Sequence, residues 1–242
     1  MSAADKVRVD GQPGYVLHAY PFRETSLIVE VFSRDYGRVG LVARGARRPR
    51  SALRGVLMAF QPLELGWFGQ GEVRTLAKAE WVGGQPLLQG ESLLLGYYLN
   101  ELLLKLLPRE DPHPALFDAY REAIAALAWG EPGQASLRRF EKSLLKELGY
   151  AMPLETEVTT GQRLDPDKRY IYLIERGPAE AVGAAGDAPV FTGRALLAIA
   201  QDDYSEAETR QQARQLMRML INHYLGGQPL SSRRVFMELQ EL

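Results

Sequence analysis

The sequence predicts a two-part protein: a small N-terminal β-barrel, then a mainly α-helical region carrying a small irregular or β insertion. Three observations support this. Residues 14–81 hold about five short strand-like segments separated by turn residues, the spacing of a small sandwich or barrel. From residue 92 onward the apolar residues recur at helical spacing instead. Between the two, Gly83-Gly84-Gln85-Pro86 interrupts both patterns. The expected domains are therefore 1–82 and 83–242.

In the first part, Tyr15–Tyr20 is a short apolar run ended by Pro21, and Ser26–Ser33 is rich in β-branched and apolar residues. Asp35-Tyr36-Gly37 reads as a turn, and Arg38–Ala43 as the second strand of that hairpin. Residues 44–54, with Gly45, Pro49 and Gly55 as breakers, read as a loop. Leu57–Phe68 is strand-like but broken near Pro62, with a hairpin tip expected at 66–71. Glu72–Trp81 alternates, which places Arg74 and Lys78 on one side of a strand. Two barrels fit this pattern, the SH3-like barrel and the OB-fold, whose face and loops bind oligonucleotides.

In the second part, the apolar run 93–107 reads as a buried helix stopped by Pro108, because Asn100, Glu101 and Lys105 fall on one narrow stripe. It is too short to cross a membrane, which takes about 20 apolar residues. Residues 115–128 follow as a helix, and Leu137, Phe140, Leu144 and Leu148 form the next stripe, with Gly149 placed to end it. The stretch 151–192 is rich in Pro, Gly and Ala, with strand-like pieces at Arg169–Ile174 and Val190–Phe191. Gly193–Ala200 is a short helix. Ser205 and Glu208 have capping-box spacing before a stripe that runs to Tyr224, and a last short helix is expected over Ser232–Leu242.

Composition narrows the chemistry. The 242 residues include no cysteine, which excludes disulfides, thiolate nucleophiles and every Cys-based zinc or iron–sulfur site. No nucleotide-binding P-loop, serine-nucleophile elbow or His-Glu-x-x-His segment is present. The three histidines are isolated in sequence. The pattern is that of a binder rather than an enzyme, with no cofactor or metal expected. The net charge of −1 is an average over unlike halves: residues 1–80 carry 12 Lys and Arg against 8 Asp and Glu, a balance of +4, and the remainder carries −5. Arg34, Arg38, Arg44, Arg47, Arg48, Arg50 and Arg54 stand against Asp35 alone. The planar fork of arginine suits phosphate, so these residues, flanked by Arg74 and Lys78, are the candidate contacts to a nucleic-acid backbone. Trp67 and Phe68, at the expected tip, either stack on bases or pack inward.

Several segments then resemble one family. They are Gly14-Tyr15-Val16-Leu17, Glu24-Thr25-Ser26-Leu27, Gly37-Arg38, Ala43-Arg44-Gly45-Ala46-Arg47-Arg48 and Phe60-Gln61-Pro62-Leu63 in the first part. In the second they are Tyr98-x-Asn100-Glu101-Leu102, Arg139-Phe140-Glu141-x-x-Leu144-Leu145 and Leu148-Gly149-Tyr150. Their order and spacing over roughly residues 14–230 resemble RecO, a bacterial family of DNA repair and recombination mediators. The resemblance implies an N-terminal OB-fold and a helical C-terminal domain. It further implies binding of single- and double-stranded DNA, strand annealing, and work with RecR, often with RecF, to load RecA on DNA coated by single-stranded-DNA-binding protein. It also implies docking on that coating protein's acidic tail, for which Arg138, Arg139 and Phe140 are the candidates, and a cytoplasmic, nucleoid-associated location. Many relatives carry a four-cysteine zinc motif after the Leu-Gly-Tyr segment. Here Glu155–Gly161 stands in its place without a cysteine, so ordinary packing is expected to hold 151–192. Apart from the resemblance, a small barrel with helices also suits an RNA- or ribosome-associated adaptor.

Overall fold

The period-two pattern of the first eighty residues folds into five strands: β1 (Arg8–Phe22), β2 (Ser26–Ser33), β3 (Gly37–Ala43), β4 (Leu63–Phe68) and β5 (Val73–Trp81). The computed structural model describes residues 8–150, 152–181 and 188–240, without the side chains of 236–240. The long β1 pairs with β4 through its first half and with β2 through its second. β3 joins β5 in parallel, so the sheet closes in the order β1-β2-β3-β5-β4. This closed five-stranded barrel is the OB-fold arrangement. Val9, Val16, Val29, Val31, Val39, Leu41, Leu63, Leu65 and Trp67 fill it. The segment 57–62 is not strand: a helical turn, α1 (Leu53–Val56), precedes an irregular passage to β4. Trp67 lies within β4 rather than at the tip.

Helices α2 (Gly90–Leu106) and α3 (Pro114–Ala128) follow. They cover part of the barrel's outer surface, where Tyr15 and Phe32 each make ring contacts with Phe117 and Tyr120. As a result the packing does not divide where strand gives way to helix. The chain through Glu131, joined by the segment from Leu230, is one compact unit, and Pro132–Pro229 is a second.

One irregularity in β1 governs the first unit. Val16 faces Val31 and His18 faces Glu30, so Leu17 is an extra residue, a β-bulge. Asn100 in α2 donates its amide to the Leu17 carbonyl at 2.8 Å, and the Tyr120 hydroxyl in α3 donates to Asn100 Oδ1 at 2.7 Å. Both side chains are buried. Burial, aided by nearby Tyr15, holds the Tyr120 hydroxyl protonated well above the ordinary tyrosine range. A second clasp lies at the link between α2 and α3. There Arg109 bridges to β3 beside Arg38, and the Glu110 amide donates to the Arg38 carbonyl at 3.0 Å. Gly37, at φ 65°, leaves room for this link: a Cβ there would stand 2.2 Å from the Asp111 carbonyl oxygen.

The last helix of this unit, α7 (Ser231–Gln240), starts on a borrowed cap. Glu101 of α2 accepts from the amides of Ser231 and Ser232, at 2.8 and 2.9 Å, and from the Ser232 hydroxyl at 2.6 Å. Residues 241 and 242 of the expected last helix lie outside the described residues.

In the second unit, α4 (Gly133–Glu147) buries Leu137, Phe140, Leu144 and Leu145. It ends as the sequence predicts: Gly149, at φ 80°, donates to the Lys146 carbonyl, and Tyr150 donates to that of Leu145, a Schellman motif. The insertion forms a small antiparallel sheet in the order β7-β6-β8 from β6 (Arg169–Leu173), β7 (Gly177–Glu180) and β8 (Val190–Thr192). Only β7 escapes the sequence pattern, and its Pro178 is tolerated because the strand is at an edge. Residues 182–187 of the insertion lie outside the described residues. Helix α5 (Gly193–Ala200) matches its expected span, and α6 (Ala207–Tyr224) follows. The expected capping box does not form. Glu206 is the N-cap residue of α6 and makes no side-chain cap bond, while the Ser205 amide is taken by Asp203 Oδ1 at 3.0 Å.

Two predictions follow from these bonds. Asn100→Ala removes two buried hydrogen bonds and takes away the donor to the Leu17 carbonyl, so urea denaturation should show a loss of about 2–3 kcal/mol, with Tyr120→Phe losing less. For Glu101, partial burial opposes the charge, but donors from Ser232, Ser231 and Lys105 outweigh it and lower the carboxyl below its ordinary value. Its contribution is therefore present above the unfolded-state pKa and is lost as pH falls through the folded one. Thermal unfolding of Glu101→Gln should show a flatter loss of stability on acidification than the unsubstituted chain.

Candidate nucleic-acid interface

The interface starts where β3 runs out. Beyond Ala43 the chain turns through residues 44–52, with Gly45 at φ 68° and the Arg48 amide donating to the Gly45 carbonyl at 3.1 Å. Ala46 is buried in the barrel end and anchors the loop. The Arg47 amide donates to the Thr25 carbonyl at 2.8 Å, and its Nη1 donates to the carbonyls of Arg23 and Glu24, each at 3.3 Å. The arginine loop is thus fastened to the β1–β2 turn, and Arg23 joins the group. Under the loop, Leu27, Ala46, Leu53 and Leu57 with Arg47 and Arg54 line an open cavity of about 360 Å³.

The predicted cations separate into two classes. Arg44, Arg47, Arg48, Arg50 and Arg54 are all exposed. Among the described residues none of them forms a salt bridge. The flanking cations have carboxylate partners. Arg38 and Arg109 both bind Glu30, which is 3% exposed. Burial, partly offset by Glu30 and reinforced by Arg109, keeps the Arg38 guanidinium below its ordinary pKa. Arg74 pairs with Glu110 at 2.9 Å, and Arg34 reaches Asp35 and Asp118, both at 3.4 Å. Lys78 meets Glu80 at 2.9 Å and Glu64 at 3.5 Å. Nor do Arg74 and Lys78 share a face. Trp67 faces Leu76 while Gly66 faces Lys78, so Ala77 is an extra residue, and Leu76 and Ala79 both pack on the core. Alternation breaks between them and turns Lys78 away from the side that holds Arg74.

Beside the loop lies an open stretch of sheet. Directly opposed residues share a face, and Tyr20 opposes Ile28, Ile28 opposes Val42, and Val42 opposes Thr75. The bulge at Leu17 turns His18, Tyr20 and Phe22 to this outer face, with Ala19 packing inward. Tyr20 is 46% exposed, and its ring centroid lies 4.3 Å from that of His18. The Arg23 guanidinium lies 5.1 Å from the centre of the Phe22 ring. Trp67, by contrast, is fully buried with its ring edge-on to Tyr36, so it presents no face to a ligand.

Two family models span the chain: Recombination protein O N terminal matches residues 10–85, and Recombination protein O C terminal matches residues 87–234. The chain belongs to the RecO family. A DNA repair protein RecO of Azoarcus sp. is 60% identical over 243 residues, covering 99% of this chain and 100% of that protein. Those of Aromatoleum aromaticum and Dechloromonas aromatica are 58% and 57% identical, over 99% and 97% of this chain. RecO is thus a family of DNA repair and recombination proteins, as the sequence pattern implied. No described helix is long and apolar enough to cross a membrane.

Within this RecO chain the second candidate site, on α4, is only partly a surface. Phe140 is 1% exposed and belongs to the core, so it offers no groove. Arg138 turns onto the buried Glu141 at 2.9 Å. Arg139 alone is exposed, with its guanidinium 5.7 Å from the Tyr204 ring centre and a bond to the Asp202 carbonyl at 3.4 Å. Lys142, not singled out from the sequence, donates to the carbonyls of Ile199 and Ala200 at 3.0 Å and pairs with Asp202. Arg138→Ala should therefore cost about 1–3 kcal/mol by removing an ion-pair partner of the buried Glu141, whereas Arg139→Ala should stay within about 0.5 kcal/mol in a urea titration.

Proposed function

We propose that this chain is a non-enzymatic recombination mediator that binds single- and double-stranded DNA through the arginine loop. The observation that carries the reading is the set of exposed arginines at 44, 47, 48, 50 and 54, none salt-bridged among the described residues, on a loop pinned to the β1–β2 turn. Arginines left without carboxylate partners have donors for phosphate, although Arg47 commits its Nη1 to the turn it pins, and contacts of this kind do not read sequence, which suits a protein acting wherever DNA is damaged. Arg34, Arg38, Arg74 and Lys78 flank this surface and hold its scaffold through their carboxylates.

Strand annealing follows from the same surface. Two phosphate backbones repel, and a cationic loop that neutralises both lets their bases pair without any catalytic group. In the cell the chain works with RecR, and with RecF, to load RecA on DNA coated by single-stranded-DNA-binding protein. The exposed Arg139 in the second unit supplies the cationic contact for that protein's acidic tail.

Replacing Arg47, Arg48 and Arg50 together with Ala tests the reading. Fluorescence anisotropy should show weaker binding of both DNA forms, with the slope of log affinity against log salt shallower by about 2–3, and annealing should slow in step. Unchanged affinity would overturn the proposal. Matched RNA bound more tightly than DNA would favour an RNA-associated adaptor instead.

A further inference from the structure

The geometry points to a base-stacking track for single-stranded DNA along the outer face of β1, made by His18, Tyr20 and Phe22. It rests on the proposed DNA-binding reading and adds to it where the bases go. Three features carry it.

The first is spacing. The three side chains fall on alternate residues of one strand, at the stretch where β1 has left β4 and pairs with β2; the His18 and Tyr20 rings touch, with centroids 4.3 Å apart, and make one continuous aromatic surface beside Phe22. Extended single strands can lay successive bases on such a surface, whereas the bases of a duplex are already stacked on one another. The second is exposure. Tyr20 is 46% exposed and among the described residues no helix ring contacts it, while Tyr15 and Phe32, on the same outer surface, are closed off by α3. Ile28, Val42 and Thr75 extend the platform beside it with no formal charge. The third is charge. The track runs into Arg23, whose guanidinium lies over Phe22, and then into the turn to which Arg47 is bonded. A strand lying here has its bases on the rings and its phosphates beside the arginines. Aromatic stacking is tolerant of sequence because every base has a π-face.

The consequence is a division of labour. The arginines bind any backbone, and the rings add affinity for unpaired bases alone. Single strands are then held bases-inward, and the track lets go of each base as it pairs with a complement.

The test is anisotropy with a labelled oligodeoxythymidine and, separately, a duplex of equal length, at one salt concentration. Tyr20→Ala should weaken single-strand binding about tenfold while leaving duplex binding unchanged, and Tyr20→Trp should restore it. Because Tyr20 is half exposed, neither variant threatens the fold, and matching thermal unfolding checks this. Equal losses for both DNA forms, or no loss for either, would overturn the track. The arginine triple variant separates the two ideas. If it weakens both DNA forms while Tyr20→Ala changes nothing, the track alone fails. If the triple variant binds single strands normally, the reading beneath it fails as well.

Discussion

The extra residue at Leu17 is the constraint on which the rest of the first unit depends. A strand that must pair with β4 at one end and β2 at the other has to shift register, and the bulge is where it does so on the β2 side. The shift frees the Leu17 carbonyl from the ladder. A buried carbonyl needs a donor, and Asn100 supplies it, with Tyr120 satisfying Asn100 in turn. The two helices are thereby fixed to the barrel by a polar chain as well as by ring packing. The same shift sends His18, Tyr20 and Phe22 outward, so one local irregularity both docks the helices and opens the face beside the arginines.

Charge in this unit is sorted by burial. Glu30 is deep enough that leaving it unpaired would be costly, and it takes two arginines, one from β3 and one from the α2–α3 link. Arg74 is engaged by the same link through Glu110. What remains for a polyanion is the loop after β3, where Arg44 to Arg54 are exposed. A run of arginines in sequence is therefore two populations in space, one holding the clasp and one facing solvent.

The insertion shows how a segment that carries a metal knuckle in many relatives closes without cysteine. Glu157 donates its amide to the Gln162 carbonyl at 2.8 Å, its carboxylate accepts from the Thr160 hydroxyl at 2.8 Å, and the Leu164 amide returns to the Glu155 carbonyl at 2.8 Å. Phe191, Tyr170, Leu154 and Leu164 are buried around it. Hydrogen bonds across one tight turn thus do locally what ligand bonds to a metal would do.

The sequence by itself determined the barrel, the helical region, the span of α5, the apolar stripe of α4 and the glycine stop at Gly149, because these rest on periodicity and short-range backbone bonds within a few residues. It also marked the arginine loop, since breakers and like charges cluster there. It did not reveal the bulges at Leu17 and Ala77. A one-residue bulge leaves composition unchanged but inverts every later side chain, which is why alternation puts Arg74 and Lys78 on one side of a strand that turns them apart. Trp67 at an expected tip and Phe140 at an expected groove were likewise settled by burial, which depends on what packs against them. Which arginines are free and which are paired was decided only by tertiary structure, because Glu30 meets Arg109 across 79 residues of chain and Arg74 meets Glu110 across 36.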